Sequence, residues 1–590
     1  MSATDTDSYA FPISTSKRQR EEDRGTEKYM KQTMLKCVLL ITMLCSMLST
    51  YAYDCQVDGI CYNLNKTKKS ASVTSCDVKY KGEVVIAKTI SVDDVSYVVN
   101  TIEAGAFSDC TELTAVTIGE AIQSIETSAF NGCTGLVSVT FNAEMCTRMG
   151  EQLHPVFSEC PNFAKLTIGK GVTYIPYYAF MNCTGLTSIT ISEGAAPRIS
   201  NAAFANCTGL ISIYFPKSVE NVAAGAFSGC INLESIVVDP ENPYMDSRDN
   251  CNALINNDNV LFQGCKNTII PNTVIAILNR SFKDMTSLTS IRIPESVESI
   301  FAQAFMNTGL TSVYIPKSVK TLNGDAFAGC TNLGSIVVDP KNSRMDSRDN
   351  CNAVISTNSN ELVSGCKNTI IPGSVTSIGS NAFNGCTGLT SIAIPNAVTT
   401  INNSAFEGCT GLTSIAIPDA VATIGAFAFS GCTGLTSIAI PDAVTTIGRC
   451  TFYGCTGLTT VTLPKFVTEI GISAFEGCTE LVKLVSPATT PPVCGEDAFK
   501  GVDGNTCELF VPIESIALYK AAEQWKNFAL ISEYGGVENV CEDTHNAVYE
   551  VYNLQGVRVG AGMREAEISY ILPRGVYILV SPQGCKKLKI

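Results

Sequence analysis

A unit of 23 residues recurs through most of this chain, and it constrains the fold more than any other feature. In the clearest stretch, the phenylalanines that mark the unit are each 23 residues apart: Phe383, Phe406, Phe429, Phe452 and Phe475. Self-similarity at a fixed period of about 20 to 50 residues is typical of a solenoid, in which each repeat forms one turn of a coil. Because one repeat cannot bury its own apolar residues, neighbouring repeats are expected to stack and share a core.

Each unit contains one short segment with the two-residue period of a strand. Residues 391–394 read Ser-Ile-Ala-Ile, so that isoleucines alternate with small residues. Pro395 follows, and proline ends a strand because it lacks the N–H group that a ladder needs. The Gly-Cys-Thr-Gly run that begins at Gly408 is expected to turn the chain into the next strand, since glycine adopts a positive φ without a Cβ penalty.

The first hundred residues divide into three segments before the repeats begin. Residues 1–29 are polar and charged, which is compatible with a misplaced translation start. Residues 30–52 combine a basic start, an apolar stretch and a small-residue cleavage site, and this pattern predicts a secretory signal peptide. Residues 53–100 do not repeat and are interpreted as an N-terminal cap, because the open end of a solenoid needs a cover.

The repeats extend over residues 101–500, with two nearly identical inserts near 239–267 and 339–368. Residues 501–535 predict a last strand and a helix, with Trp525 in a C-terminal cap. Residues 536–590 read as a linker followed by short alternating strands. The motif Leu-x-x-Ile-x-Ile-Pro at residues 389–395 matches the strand of a leucine-rich repeat. The predicted fold is therefore a β-rich leucine-rich-repeat solenoid of 23-residue rungs, with caps at both ends and a small β-sandwich-like domain at the C terminus.

The repeating unit, Ala-Phe-x-Gly-Cys-Thr-Gly-Leu-Thr-Ser-Ile-x-Ile-Pro, resembles that of the BspA-like leucine-rich-repeat surface proteins. The tail resembles a C-terminal sorting domain of type IX secretion, found in Bacteroidetes, at residues 556–559, 572–577 and 586–590. Together the resemblances imply a secreted protein attached to the outer-membrane surface through its tail. They also imply adhesion to host extracellular-matrix proteins or to bacterial surface proteins. The sequence leaves the oligomeric state open.

Composition and motifs argue against several other classes of function. The formal net charge is −14, and no basic patch with interleaved aromatic residues is present, so a nucleic-acid partner is not expected. The two histidines, His154 and His545, lie far apart in the sequence, and no nucleophile–histidine arrangement or phosphate-binding glycine motif accompanies them. We therefore expect no enzymatic activity, no cofactor and no metal site.

Cysteines recur at one position of the repeat, where they could form either buried free thiols or disulfides between rungs. A metal cluster is disfavoured because equivalent positions form a line along a solenoid. The sequence favours a ladder of buried thiols over disulfides between rungs, since parallel Cβ vectors suit a ladder better than a bridge. The twelve positions are Cys110, Cys133, Cys160, Cys183, Cys207, Cys230, Cys330, Cys386, Cys409, Cys432, Cys455 and Cys478.

Other cysteines lie outside this ladder. Cys251 with Cys265, and Cys351 with Cys366, lie within the inserts of an exported protein and are candidate disulfides. Cys55 and Cys61 are a candidate staple of the N-terminal cap.

The inserts also carry Asp-Ser-Arg-Asp-Asn-Cys-Asn runs, at residues 246–252 and 346–352. Their oxygen atoms could bind calcium. The favoured interpretation is turn chemistry, in which the aspartate and asparagine side chains cap the backbone of a hairpin.

The outward positions of the strands form the remaining candidate site. This face is small and uncharged over its C-terminal half, and Tyr214, Arg292 and Tyr314 stand out in its middle. Tyrosine and arginine are favoured anchors at protein interfaces, so these three residues are the predicted ligand-binding residues of an adhesin. The alternative is that they only support the sheet by cross-strand stacking, and that the protein is a structural surface spacer or a surface-layer protein.

Overall fold

The computed structural model describes residues 53–534, 548–553, 558–564, 576–581 and 584–589. The predicted signal peptide lies outside the described residues. From residue 53 to residue 534 the chain winds into a β-solenoid of about 19 turns, which confirms the predicted fold class. Each regular turn has three sides, which we call the front, second and third sides in chain order.

The front side is formed by the strands that contain the alternating isoleucines of the repeat. Neighbouring strands are mostly parallel and in register, as in Lys165–Ile168, which pairs with strands on both of its edges. The front strands are Leu113–Ile118, Ser138–Phe141, Lys165–Ile168, Ser188–Ile191, Ser212–Phe215, Ser235–Val238, Ser312–Ile315, Ser335–Val338, Ser391–Ala393, Ser414–Ala416, Ser437–Ala439, Thr460–Thr462, Lys483–Val485, Glu508–Val511 and Leu530–Glu533.

The second side is a column of two-residue strands in which the second residue is usually buried. These strands also pair in parallel, rung to rung, as between Thr400–Ile401 and Thr423–Ile424. They are Ser124–Ile125, Arg148–Met149, Tyr174–Ile175, Arg198–Ile199, Asn221–Val222, Ala276–Ile277, Ser299–Ile300, Thr321–Leu322, Ser377–Ile378, Thr400–Ile401, Thr423–Ile424, Thr446–Ile447, Glu469–Ile470 and Val493–Cys494.

The third side consists of turns that are held together by the phenylalanine of each repeat. The rings of Phe406 and Phe429 stack with their centroids 5.3 Å apart, and those of Phe429 and Phe452 are 5.5 Å apart. Backbone bonds also cross this side, since the N–H of Phe406 donates to the carbonyl of Ala428 at 2.8 Å. Gly408 has a φ of 70°, as the turn prediction requires.

The cysteines of the repeat form a ladder of buried free thiols beside the stacked rings. In nine rungs the thiol donates to the carbonyl oxygen of the phenylalanine in the preceding rung, at 3.0 to 3.3 Å. For example, Cys432 Sγ lies 3.1 Å from the carbonyl oxygen of Phe406. The favoured sequence interpretation, thiols instead of bridges between rungs, agrees with this arrangement, and each thiol also satisfies a buried backbone acceptor.

The N-terminal cap joins two sides of the solenoid at once. Its strand Val95–Ile102 pairs with Ser124–Ile125 of the second side, and its strand Gly82–Val85 pairs with Leu113–Ile118 of the front side. The cap strands are Cys55–Val57, Ile60–Asn65, Ser70–Thr74, Gly82–Val85, Thr89–Val92 and Val95–Ile102.

The proposed staple of the cap between Cys55 and Cys61 is wrong, because the structure pairs Cys61 with Cys76 and leaves Cys55 free. The reason lies in the strand register. Cys55 lies opposite Tyr62, so Cys55 and Cys61 are on opposite faces of the antiparallel pair.

Each insert adds material to the front and second sides but not to the third side. The N–H of Gly229 donates directly to the carbonyl of Lys283 at 3.1 Å, across the first insert, and Gly329 donates to Asn384 across the second at 2.8 Å. Each insert therefore separates two rungs on their front and second sides, while the third sides of the same two rungs stay in direct contact. We call this arrangement a wedge. The insert strands are Met245–Asp246, Ala253–Asn256 and Val260–Gly264, then Met345–Asp346, Val354–Ser356 and Glu361–Ser364, with short 3-10 helices at Arg248–Asn250 and Arg348–Asn350.

The C-terminal end of the coil is covered by a short helix, α1 (Ile516–Ala521), with 3-10 turns at Ile513–Ser515 and Trp525–Asn527. Trp525 is fully buried, its ring lies 5.1 Å from that of Phe499, and its indole N–H donates to the carbonyl of Pro492 at 2.9 Å. The last phenylalanine of the column is thus shielded from water.

The tail contributes four described strands, Val548–Asn553, Arg558–Arg564, Val576–Ser581 and Gly584–Lys589, in one antiparallel sheet. A second sheet, which a sandwich requires, is not among the described strands of this segment.

Candidate ligand-binding face

The outward side chains of the front strands form a continuous exposed surface, which we call the front face. Tyr214 and Tyr314 lie in its middle and are 49% and 48% exposed. The two tyrosines occupy equivalent positions in the duplicated blocks, in strands Ser212–Phe215 and Ser312–Ile315. Buried isoleucine, valine and phenylalanine neighbours anchor each strand, so the position of each phenol is fixed by the core beneath it.

Each of these tyrosines makes the same hydrogen bond. The hydroxyl of Tyr214 donates to Asp239 Oδ2 at 2.7 Å, and that of Tyr314 donates to Asp339 Oδ2 at 2.8 Å. The aspartate is held in place by its own turn, because Asp239 Oδ1 accepts the backbone N–H of Glu241 at 2.8 Å. The phenols are therefore oriented along the surface with their rings exposed.

These bonds shift the pKa values of both partners. The backbone N–H of Glu241 and, next, the hydroxyl of Tyr214 lower the pKa of Asp239. The bond to Asp239 raises the pKa of Tyr214, because the carboxylate disfavours a phenolate beside it. Tyr314 and Asp339 shift in the same directions. The pair thus keeps an ionised carboxylate and a neutral phenol together.

Arg292 lies in the front segment between the first insert and the strand that carries Tyr314. It is exposed and has no hydrogen-bond or ion-pair partner among the described residues. It lines a groove of about 420 Å³ together with Thr268, Ile269, Ile270, Ser290 and Ile291. The structure thus places all three predicted residues on the front face, but in separate rungs.

Sequence reasoning missed two other features of this face. Ile269 and Ile370, at equivalent points directly after the two inserts, are 74% and 73% exposed. The Asp239 and Asp339 partners were also missed, although both follow a Val-Val strand end and precede proline in the sequence. The duplicated Val-Val-Asp-Pro motif was the sequence signal that could have identified these two aspartates.

The two predicted disulfides of the inserts, Cys251–Cys265 and Cys351–Cys366, are not formed in the structure, where all four are buried free thiols. Cys265 Sγ donates to the carbonyl of Asn252 at 3.3 Å, whereas Cys251 Sγ donates to the carbonyl of Ala253 at 3.6 Å. Each thiol is therefore satisfied by the backbone of the same turn. Burial raises the pKa of Cys251 to about 11.

The Asp-Ser-Arg-Asp-Asn-Cys-Asn runs form turns held by an arginine, which agrees with turn chemistry. Asp246 Oδ1 accepts the backbone N–H of Arg248 at 3.0 Å and its Nε–H at 2.8 Å. Arg248 also donates to Asn259 Oδ1 at 2.7 Å, so the guanidinium joins the turn to the hairpin. Within the described part of the chain, no group of three or more histidine, cysteine, aspartate or glutamate residues is arranged to hold a metal ion.

The first histidine lies in an irregular rung, where His154 forms an isolated bridge with Glu151. The second, His545, lies outside the described residues. The described residues contain no helix with the length and hydrophobicity of a membrane-spanning segment.

Comparison with known proteins places these observations in a family. The family described as "BspA type Leucine rich repeat region" matches in six copies, over residues 100–234, 256–359 and 353–482. No curated protein matches the chain.

Several solved structures are similar to this chain. A leucine-rich cell surface protein from Faecalibacterium prausnitzii is 24% identical, with a TM-score of 0.36, and the match covers 73% of this chain and 93% of that one. A leucine-rich repeat protein from Bacteroides ovatus is 26% identical over 73% of this chain and 94% of that one, with a TM-score of 0.35. The pneumococcal vaccine antigen PcpA is 17% identical over 81% and 98%, with a TM-score of 0.36.

Proposed function

Because this chain belongs to the BspA-type leucine-rich repeat family, whose fold is typically a protein-interaction scaffold without catalytic activity, we propose that it is a cell-surface adhesin. Its ligands are host extracellular-matrix proteins or surface proteins of other bacteria. The observation that carries the proposal is the pair of half-exposed tyrosines, Tyr214 and Tyr314, each oriented by an aspartate on an extended face.

The chemistry of this face suits protein ligands. Tyrosine buries a large area at a low cost in side-chain entropy, and a phenol that is already held by a carboxylate loses little further freedom on binding. The free guanidinium of Arg292 adds a site for a carboxylate on the same face. The affinity for the protein ligand would then be the sum of many weak contacts made by successive rungs of the front face.

The test is binding of the mature chain to immobilised fibronectin and fibrinogen at physiological salt, followed by surface plasmon resonance of variants. Replacing both tyrosines (Tyr214→Ala and Tyr314→Ala) is expected to weaken binding by about tenfold or more. The matched control is Tyr177→Ala with Tyr453→Ala, which removes two tyrosines of similar exposure from third-side turns. Equal binding by the parent and the front-face variant would remove the two tyrosines from the site.

The alternative function is a structural spacer or surface-layer protein without a specific ligand. It is favoured if a folded sample binds neither matrix proteins nor intact bacterial cells. Both proposals include display on the cell surface. Residues 30–52 would direct export. The tail would serve as a type IX sorting signal that attaches the protein to the outer-membrane surface. Neither function requires a cofactor, a metal ion or nucleic acid.

A further inference from the structure

One front segment of the solenoid is not part of any ladder. Residues 290–293 occupy the position of a front strand, yet none of their backbone N–H or C=O groups is hydrogen-bonded to a described residue. The ladder is interrupted elsewhere too, as between Ser188–Ile191 and Ser212–Phe215, but there each strand keeps a partner on its other edge. Within the described part of the chain, the polar groups of residues 290–293 are left to water or to an added partner.

A groove lies beside this segment, on the side that faces the first insert. The groove of about 420 Å³ separates residues 268–270 from residues 290–293. On its other wall, the N–H of Ile269 turns inward to the carbonyl of Cys251, while Ile270 makes no backbone hydrogen bond to a described residue. The wedge-shaped insert therefore separates two front segments that would otherwise pair.

The side chains of the groove specify what could fill it. Ile269 and Ile291 offer aliphatic surface, and Ile269 is 74% exposed. Among the described residues that line the groove, Arg292 is the only charged one, and no carboxylate accompanies it. A strand with aliphatic side chains and one carboxylate complements this lining in hydrophobicity and in charge.

The duplicated block provides an internal comparison. The residue equivalent to Arg292 in the second block is Ala393, and the strand Ser391–Ala393 is paired with Ser414–Ala416. The fully unpaired segment and the free arginine therefore occur together in the first block alone, within the described residues.

We propose that the groove between residues 268–270 and 290–293 binds an extended acidic segment of a partner protein by strand addition. The partner's backbone pairs with residues 290–293, its aliphatic side chains contact Ile269 and Ile291, and its carboxylate binds Arg292. This inference rests on the proposed function, because it names the kind of protein segment that the front face recognises.

The first experiment uses the mature chain and a fluorescein-labelled octapeptide that alternates valine with threonine and carries one central glutamate. Hydrogen–deuterium exchange is measured with and without the peptide. The amides of residues 290–293 are expected to exchange fast in the free chain, unlike those of the paired strand Lys165–Ile168, and to become protected when the peptide is added. A peptide with alternate backbone amides N-methylated is the control, and it should not bind because it cannot form the ladder.

The second experiment tests the charge. Replacing the glutamate of the peptide by glutamine, or Arg292→Ala in the protein, is expected to weaken binding by about tenfold, and combining both changes should weaken it little further. Arg198→Ala is the matched control, because it removes an exposed arginine of the second side. Circular dichroism of each variant verifies that the solenoid is folded.

Three outcomes would overturn the proposal. One is exchange at residues 290–293 that saturating peptide leaves unchanged, and another is equal affinity for the N-methylated peptide. The third is protection of these amides in the free chain that rises with protein concentration, since the groove would then be filled by a second copy of the chain. Binding of whole matrix proteins to the tyrosines would survive any of these results, so failure here is distinguishable from failure of the adhesin function.

Discussion

At the residue scale, the cysteine of the repeat shows how one side chain satisfies two requirements of a solenoid. It is small enough for the narrow turn, and its thiol donates to the phenylalanine carbonyl of the preceding rung. Burial raises the pKa of most ladder thiols, to about 11 for Cys110 and to about 12 for Cys455, whereas a hydrogen bond with Cys133 lowers the pKa of Cys160. The thiols whose pKa is raised are therefore neutral and unreactive at physiological pH.

A pH dependence of stability follows from these shifts. An unfolded cysteine has a pKa of about 8.5, so above that pH the unfolded chain releases protons that the folded chain retains. The free energy of unfolding is thus expected to be unaffected by these thiols below about pH 8 and to fall as the pH rises from about 8.5 towards 12. Urea unfolding at about pH 7.5 and about pH 10 measures the loss.

The control for this prediction replaces several ladder cysteines by alanine, for example Cys409, Cys432 and Cys455. The variant is expected to be less stable at neutral pH, because each thiol hydrogen bond and some packing are lost, but to lose less stability between the two pH values. An identical pH profile for parent and variant would contradict the assignment to the thiols.

At the element scale, the phenylalanine column is the feature that joins one turn to the next on the third side. Phe429 is fully buried between the rings of Phe406 and Phe452. Phe429→Ala would leave a cavity in the column, and we expect a loss of about 3 to 5 kcal/mol in the free energy of unfolding. Phe429→Leu should lose less because it fills part of the space. A loss below about 1 kcal/mol for the alanine variant, measured by urea unfolding, would show that the neighbouring rings close the gap.

The inserts show where prediction of elements from sequence fails. Their boundaries were visible because the two copies are nearly identical, and their Asp-Arg turns agree with local turn chemistry. Their effect on the coil was not visible. The backbone hydrogen bond between Gly229 and Lys283 joins residues that are 54 positions apart, on either side of the insert. No local sequence pattern encodes such a contact.

At the scale of the whole molecule, the proposed tail function makes a prediction for the cell. Deletion of residues 546–590 is expected to leave the protein in the periplasm, because the sorting signal would be lost while the signal peptide remains. Protease accessibility on intact cells measures surface exposure. A second variant, Lys586→Ala with Lys587→Ala, keeps the tail and tests whether its basic end contributes to sorting. Surface exposure of the truncated protein would contradict the sorting role of the tail.

The sequence by itself determined the solenoid, its 23-residue turn, the thiol and phenylalanine columns and the existence of the inserts, because each of these is a local pattern repeated at a fixed period. It also identified Tyr214, Arg292 and Tyr314 as unusual outward residues. Only the tertiary structure decided which cysteines pair in the cap, since strand register places Cys55 and Cys61 on opposite faces, and Cys76, two residues beyond the partner of Cys61 in the next strand, forms the disulfide. It alone revealed the bond between each tyrosine and its aspartate and the unpaired segment 290–293, because these depend on how one turn of the coil is seated against the next.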